Sequence, residues 1–399
     1  MTESLPEAAP LPITRRRGCP FDPPDELARL REQRPLSRMA YPDGHVGWLA
    51  TSHELVRAVF ADPRFSSRYE LMHYPFPDGA DVKMVPGPPG DITAMDPPEH
   101  TRYRRLLAGK FTVRRMNLLT ARIEQIAAEH LDAMERHGPP VDLVRAFAHP
   151  IPALTICELL GVPYADHEFF QRVVMVNELG ASPEEVVAAL TELQDYVREL
   201  VVAKRARPTD DLLSDLTTSD LTDEELAGIG GLLLGAGLDT TANMIALGVF
   251  ALLRHPDQLA AVRGDPDMVD GAVEELLRYL SNVHTSVKAA LEDVELGGHS
   301  IKAGETVTLS IQAANRDPDR FPDPGILDLK RRTVGQMAFG HGIHQCLGQQ
   351  LTRVQLRVAY PALLTRFPTL RLAIPPEDVP LRTGSIFGVH QLPVIWDRA

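Results

Sequence analysis

Cysteine is scarce in this chain: Cys19, Cys157 and Cys346 are the only three in 399 residues. So few thiols, so far apart, exclude a disulfide framework as the main staple. A basic excess is also missing. Lys and Arg number 41 against 54 Asp and Glu, a net charge of −13, which excludes chain-wide polyanion binding. Hydrophobic residues make up 44%, so disorder is disfavoured. No long apolar run follows Arg15, Arg16 and Arg17; the start is not a signal peptide and reads as a loose polar arm. There is no repeat, no Gly/Ser linker, no alternating βαβ pattern and no GxGxxG after a strand. A built-in nicotinamide or flavin domain is therefore not expected. Length allows several domains or one large one.

What is present is mostly helical patterning. Apolar periodicity predicts helices over about 23–34, 52–61, 99–108, 114–137, 151–160, 166–177, 183–206, 223–254, 257–263, 268–280 and 347–364. Residues 47–49, 287–312 and the tail read as short strands, with a Gly297-Gly298 turn and another near Gly384–Gly388. Residues 70–98, rich in Pro and Gly, form a long loop of the kind that often carries function. The sum is one mainly α domain with a small β part. The most apolar stretch, Leu226 to Leu253, has no Lys or Arg. At about 1.5 Å per residue it is long enough to span a bilayer. Asp239 near its middle argues instead for a buried central helix.

Four segments carry chemistry. Residues 339–348 read FGHGIHQCLG, just ahead of a predicted helix. Glycines let the backbone turn tightly and approach a flat object closely. A cysteine at a helix start meets unpaired N–H groups that favour thiolate, and a thiolate so presented can ligate iron axially. A zinc set of His341, His344 and Cys346, or a buried unreactive thiol, are the competing readings. Within the long helix, AGLDTT places Asp239 and Thr240 beside small residues, either as a satisfied helix kink or as a reactive pair. In EELLR, Glu275 and Arg278 share a helical face. In DPPEHTRYRR, His100 and Arg104 do the same.

On Phe339, Gly340, Gly342, His344, Cys346 and Gly348 the chain resembles the cytochrome P450 superfamily, and the resemblance runs from about Pro35 to Trp396. In detail it resembles the soluble bacterial, actinobacterial type. The resemblance implies a triangular, mainly α domain over 35–399 with small β-sheets, after an arm and first short helix at 1–34. Haem b would sit between the long helix and the cysteine segment. Cys346 would be the proximal iron ligand, with Phe339 and Gly348 beside the ring. His100, Arg104 and His344 would hold the haem carboxylates. Lys288 stands where the family usually has Arg, and would act as a point charge without a bidentate fork. Thr240 would assist dioxygen activation and Asp239 would relay protons. Glu275 and Arg278 would form a buried network with Arg331, or failing that Arg332.

The implied activity is haem-thiolate monooxygenation of a hydrophobic natural product or xenobiotic, most simply hydroxylation, with dioxygen as cosubstrate. Epoxidation, desaturation or oxidative coupling on the same iron are the enzymatic alternatives; a haem sensor or ligand carrier is the non-catalytic one. Electrons would come from NAD(P)H through a separate reductase and a small acidic ferredoxin. Arg102, Arg104, Arg105, Lys110, Arg114 and Arg115, with Arg353 and Arg357, suggest a basic docking face, unless they are simply solvated. The expected pocket is lined by Met72, Tyr74, Phe76, Val82 and Met84 from the long loop, and by a lid with Val173, Val174, Val176 and Leu179. Leu233, Leu234, Ala236, Gly237, Val283, Val287, Ile386 and Phe387 would complete it. A cytoplasmic monomer without nucleic-acid or membrane partners is expected.

Overall fold

The computed structural model describes residues 8–15, 20–77, 83–166, 169, 183–382 and 384–398. The described helices of more than three residues are α1 (Asp25–Gln33), α2 (His53–Ala61), α3 (Glu99–Ala108), α4 (Val113–Asn117), α5 (Thr120–His137), α6 (Pro150–Leu160), α7 (Pro183–Ala206), α8 (Leu212–Leu216), α9 (Asp223–Arg254), α10 (Pro256–Gly264), α11 (Val269–Leu280), α12 (Ile311–Ala314) and α13 (Gln349–Arg366). A π turn at Val144–Ala148 leads into α6. The strands are β1 (Leu36–Ala40), β2 (Val46–Ala50), β3 (Phe65–Ser66), β4 (Val141–Asp142), β5 (Thr285–Ala290), β6 (Val294–Leu296), β7 (His299–Ile301), β8 (Thr306–Ser310), β9 (Arg371–Leu372), β10 (Leu381–Arg382), β11 (Gly388–Val389) and β12 (Pro393–Ile395).

The periodicity places most helices to within a residue or two. The pattern at 114–137 divides into α4 and α5, because Thr112 caps a separate short turn through the N–H of Arg115. The helix expected at 166–177 lies almost wholly outside the described residues.

The long apolar stretch becomes α9. A capping box fixes its start: the Thr222 hydroxyl accepts from the Glu225 N–H, and the Glu225 carboxylate accepts from the Thr222 N–H. Asp223, Glu224 and Glu225 sit at the positive end of the helix dipole. Among the described residues only α9 is long and apolar enough to cross a membrane, and 72% of its most apolar window is buried inside the protein. Its hydropathy thus serves the core, where it packs on α6, α7 and α13. The approach to α13 is close: a methyl group on Gly248 would collide with Tyr360, whose hydroxyl donates to Met244 O at 2.7 Å.

A five-stranded sheet, ordered β1-β2-β8-β5-β3, stands beside the helices; β2 and β8 are parallel and the other pairs antiparallel. The Gly297-Gly298 turn closes the β6–β7 hairpin with φ of 56° and 78°, which glycine adopts freely. β1 was not evident from the sequence. The arm is not loose where it is described, at residues 8–15. Ala9 bridges Met39 at the edge of β1, and Leu11 is buried with Leu27, Met39, Tyr41, Leu49 and Phe76. Backbone hydrogen bonding and one leucine anchor it, a pairing that a polar composition does not announce.

Candidate active site

A cavity of about 530 Å³ opens between α9 and the cysteine segment, within the usual small-molecule range of about 300–1,000 Å³. A larger open groove of about 660 Å³ runs along α5 and the start of α6, but it contains neither the cysteine nor the acid and alcohol of α9.

The cysteine segment is shaped from within. The Cys346 N–H donates to Phe339 O at 2.9 Å, closing the loop. Gly342, at φ 77°, lies against Phe60 O so closely that a side chain would not fit. Helix α13 starts three residues after Cys346, and the backbone N–H groups of Gly348 and Gln349 face the sulfur. Cys346 lies deep among protein atoms yet lines the cavity, so its accessible surface faces inward. Burial pushes the pKa of the Cys346 thiol up and so disfavours thiolate; the two backbone donors, Arg104 and Arg353 oppose that rise. The sulfur is thus set for a partner that supplies positive charge from the cavity side. The Arg353 guanidinium lies 4.7 Å from the centre of the Phe339 ring, which borders the same cavity.

The cavity also holds a nest for anions. The His100 and His344 rings are 4.2 Å apart, and each has a buried Nε2 with no hydrogen-bond partner among the described residues. Burial, then Lys288, His100 and Arg104, lower His344 to about 3; burial, Arg104 and Lys288 lower His100. Lys288 itself is lowered by burial to about 8, with Asp96 opposing, and it bonds the Ser67 hydroxyl. Arg104 donates to Gln345 O at 2.7 Å. The nearby Asp96 carboxylate accepts from the Ser66 hydroxyl and the Ser67 N–H. Four donor side chains with two orphaned nitrogens suit the carboxylates of haem, and the open sulfur suits its iron. The residues present therefore fit the group.

Glu275 and Arg278 are wholly buried and doubly bonded, at 2.7 and 2.8 Å. Arg331 reaches Glu275 at 3.1 Å. Arg278 also donates to Asn315 O and Pro324 O, tying α11 to the irregular chain before the cysteine segment. Arg332 makes none of these contacts among the described residues.

On α9, Thr240 lines the cavity and its hydroxyl donates to Ala236 O at 2.8 Å. Asp239 is not on the cavity wall. Its carboxylate accepts from Arg382 at 2.6 and 3.1 Å and from Asn243 at 2.8 Å. Asn282 donates to Thr240 O at 2.7 Å. Arg382, Asn282, Asn315 and Ser67 were missed from the sequence, where no spacing links them to the motifs they support.

Of the expected pocket residues, Met72, Leu233, Ala236, Gly237, Val283 and Val287 line the cavity. Tyr74 and Phe76 do not: their rings pair at 5.5 Å in the small core under α1 and β1. Leu234 and Phe387 turn into the main core, Ile386 bridges Val283 without reaching the wall, and Met84 also stays off it. Val82, Val173, Val174, Val176 and Leu179 lie outside the described residues. Phe60, Tyr69, Ile92, Phe111, Ile156 and Leu277 complete the walls and were not anticipated, because apolar periodicity does not say which buried side chain borders a void.

The basic cluster is largely neutralised. Arg102 pairs with Glu225 and Asp220, Lys110 and Arg115 share Asp215, Arg353 pairs with Glu274, and Arg357 pairs with Asp270. Arg105 and Arg114 are the exposed members of the α3–α4 cluster that make no ion pair among the described residues.

The profile of the family "Cytochrome P450" matches residues 179–395. Cytochrome P450 105C1 of a Streptomyces species is 50% identical over 395 residues, covering 98% of this chain and 100% of the relative. Pentalenic acid synthase of Streptomyces avermitilis is 43% identical, with 98% of each chain covered. The crystal structure of CYP105P1 in complex with filipin I matches with a TM-score of 0.92 at 41% identity, over 98% of this chain and all of that one.

Proposed function

Because the chain belongs to the cytochrome P450 family, and is a haem-thiolate monooxygenase of the actinobacterial type, we propose that it hydroxylates a hydrophobic natural product in the cavity under α9. One relative is named pentalenic acid synthase and another was solved with filipin I, which supports natural products as the substrate class. We read residues 35–399 as one catalytic domain.

The observation that carries the reading is that Cys346, Thr240 and the anion nest of His100, Arg104, His344 and Lys288 line one cavity. When bound, haem supplies the redox chemistry that activates dioxygen and transfers one oxygen atom. Cys346 would hold the iron through Sγ, with the Gly348 and Gln349 N–H groups moderating the sulfur's charge. His100, Arg104, His344 and Lys288 would hold the carboxylates. The apolar walls exclude bulk water from the reacting centre and orient the substrate. Thr240 holds a proton at Oγ inside the cavity. In the described arrangement that proton is given to Ala236 O, so delivery requires the hydroxyl to turn inward. Asp239 is the group that replenishes it, once its carboxylate swings from Arg382.

Electrons come from a separate ferredoxin, reduced from NAD(P)H by its reductase. The ferredoxin docks on the cysteine side, where Arg105 and Arg114 offer the unpaired charge. The enzyme acts as a cytoplasmic monomer.

The test is the reduced, carbon-monoxide-bound spectrum. A strongly red-shifted Soret band is expected, and its loss in Cys346→Ser. A histidine-type spectrum in the unsubstituted protein would reject the assignment. A natural-product library screened for the low- to high-spin shift, then turnover with ferredoxin and reductase, identifies the substrate. The product's mass separates hydroxylation from epoxidation, desaturation and coupling.

A further inference from the structure

The N-terminal arm is tied into the cavity wall. Asn282, Val283 and residues 285–288 line the cavity, and His284 is the one member of that run that does not. The His284 imidazole is buried behind the strand. Its Nε2 lies 2.5 Å from Gly384 O; its Nδ1 lies 2.9 Å from the Thr285 hydroxyl and 3.3 Å from Gln312 Nε2. Buried Gln312 accepts at Oε1 from Arg15 Nη2 at 2.7 Å. Arg15 Nη1 donates to Asp22 O at 2.8 Å, and the guanidinium lies 3.8 Å over the Phe387 ring. The Phe387 N–H donates to Asn282 O at 2.8 Å, returning to the same wall.

The polarity of this chain is fixed from its head. Arginine only donates, so Gln312 must accept through Oε1 and offer Nε2 onward. His284 Nε2 faces a carbonyl and must carry the proton, which leaves Nδ1 as the acceptor. Each group has one workable orientation, running from Arg15 to Gly384 O. The imidazole must stay neutral. Burial chiefly, and the Arg15 charge, hold it so by lowering it to about 4.

We infer that Arg15 is a positioning residue for ligand selection: it sets the donor chain that holds segment 282–288 and turn 384–387 together, so the arm controls which bulky ligands the cavity accepts. The inference rests on the reading of this cavity as the substrate chamber. Without Arg15, Gln312 can reverse its amide, the wall loses its single arrangement, and large ligands lose a preorganised surface.

Azoles that ligate haem iron through nitrogen probe the chamber without the natural substrate. Imidazole reads the metal centre, whereas clotrimazole also reads the walls. In holoenzyme titrated by difference spectroscopy, Arg15→Met keeps the aliphatic stem and is expected to weaken clotrimazole about tenfold, with imidazole unchanged. Arg15→Lys keeps a charged donor and is expected to restore most of the affinity, which mere filling of space would not require. Gln312→Leu breaks the chain one link further in and is expected to reproduce the Arg15→Met loss; it serves alone if Arg15→Met yields no holoenzyme. Unchanged clotrimazole affinity in Arg15→Met or Gln312→Leu overturns the inference, as does a Lys variant no better than Met. No azole shift in the unsubstituted holoenzyme would overturn the chamber reading, and the inference with it.

Discussion

Glu274 and Glu275 are neighbours in α11, each paired with arginine, and identical substitutions at the two are expected to differ sharply. Glu275 and Arg278 have no solvent-accessible side-chain surface, and Arg331 is 10% exposed. Glu275→Gln removes the one carboxylate that serves both guanidiniums. Removing one partner of a buried pair costs about 3–5 kcal/mol, because the remaining charge is left desolvated. Glu275 also accepts the Asp328 N–H at 3.1 Å, so the loss spreads into the chain before the cysteine segment. For 399 residues, an unfolding entropy of about 2.1 cal/mol/K per residue gives about 0.8 kcal/mol per degree. The melting temperature should then fall by about 4–6 °C. Glu274 pairs with Arg353 where the two side chains are 26% and 15% exposed. Glu274→Gln should cost about 1 kcal/mol or less, near 1 °C. The assay is thermal unfolding of both holoenzymes followed at the Soret band, with the carbon-monoxide spectrum taken before heating. Equal shifts for the two variants, or a Glu275→Gln melt within about a degree of the parent, would refute the argument from burial.

Thr240→Ala should keep the thiolate spectrum while product per NAD(P)H consumed falls and peroxide rises; coupled turnover equal to the parent would remove Thr240 from proton delivery. His284 contributes a pH dependence whose sign follows from its folded value near 4 against about 6.5 unfolded. Between those pH values the unfolded chain binds the extra proton, so stability falls as the pH drops through the window, by up to about 3 kcal/mol. Urea midpoints for the parent and His284→Gln from pH 7 to 4 check this, the variant losing less. Arg105→Glu with Arg114→Glu should raise the KM for ferredoxin and weaken its salt dependence, leaving azole binding intact; an unchanged KM would move the docking site elsewhere.

Several features were readable in the sequence because their chemistry is local. FGHGIHQCLG specifies its own tight turns, with Gly340 and Gly342 at positive φ. EELLR pairs Glu275 with Arg278 through helical spacing alone. The long apolar run without Lys or Arg could only be a buried or lipid-facing helix, and Asp239 favoured burial. Helix existence was legible because the apolar period is strong; strand β1, five residues long, was not.

What the fold alone decided lies between segments. The sequence favoured Arg331 with Arg332 as the fallback, and packing decides for Arg331, whose Nε reaches Glu275. Asp239 looked like a relay acid; that Arg382, 143 positions away, holds its carboxylate could be seen only once β10 lay beside α9. Tyr74 and Phe76 are as apolar as Met72, yet only Met72 borders the cavity, because hydrophobicity specifies removal from water and not which void is faced. The sequence by itself determined the cysteine ligand candidate, the central helix and the mainly α class. Tertiary structure determined the walls, the ion-pair partners and the docking of the arm, since each depends on which distant groups lose water together.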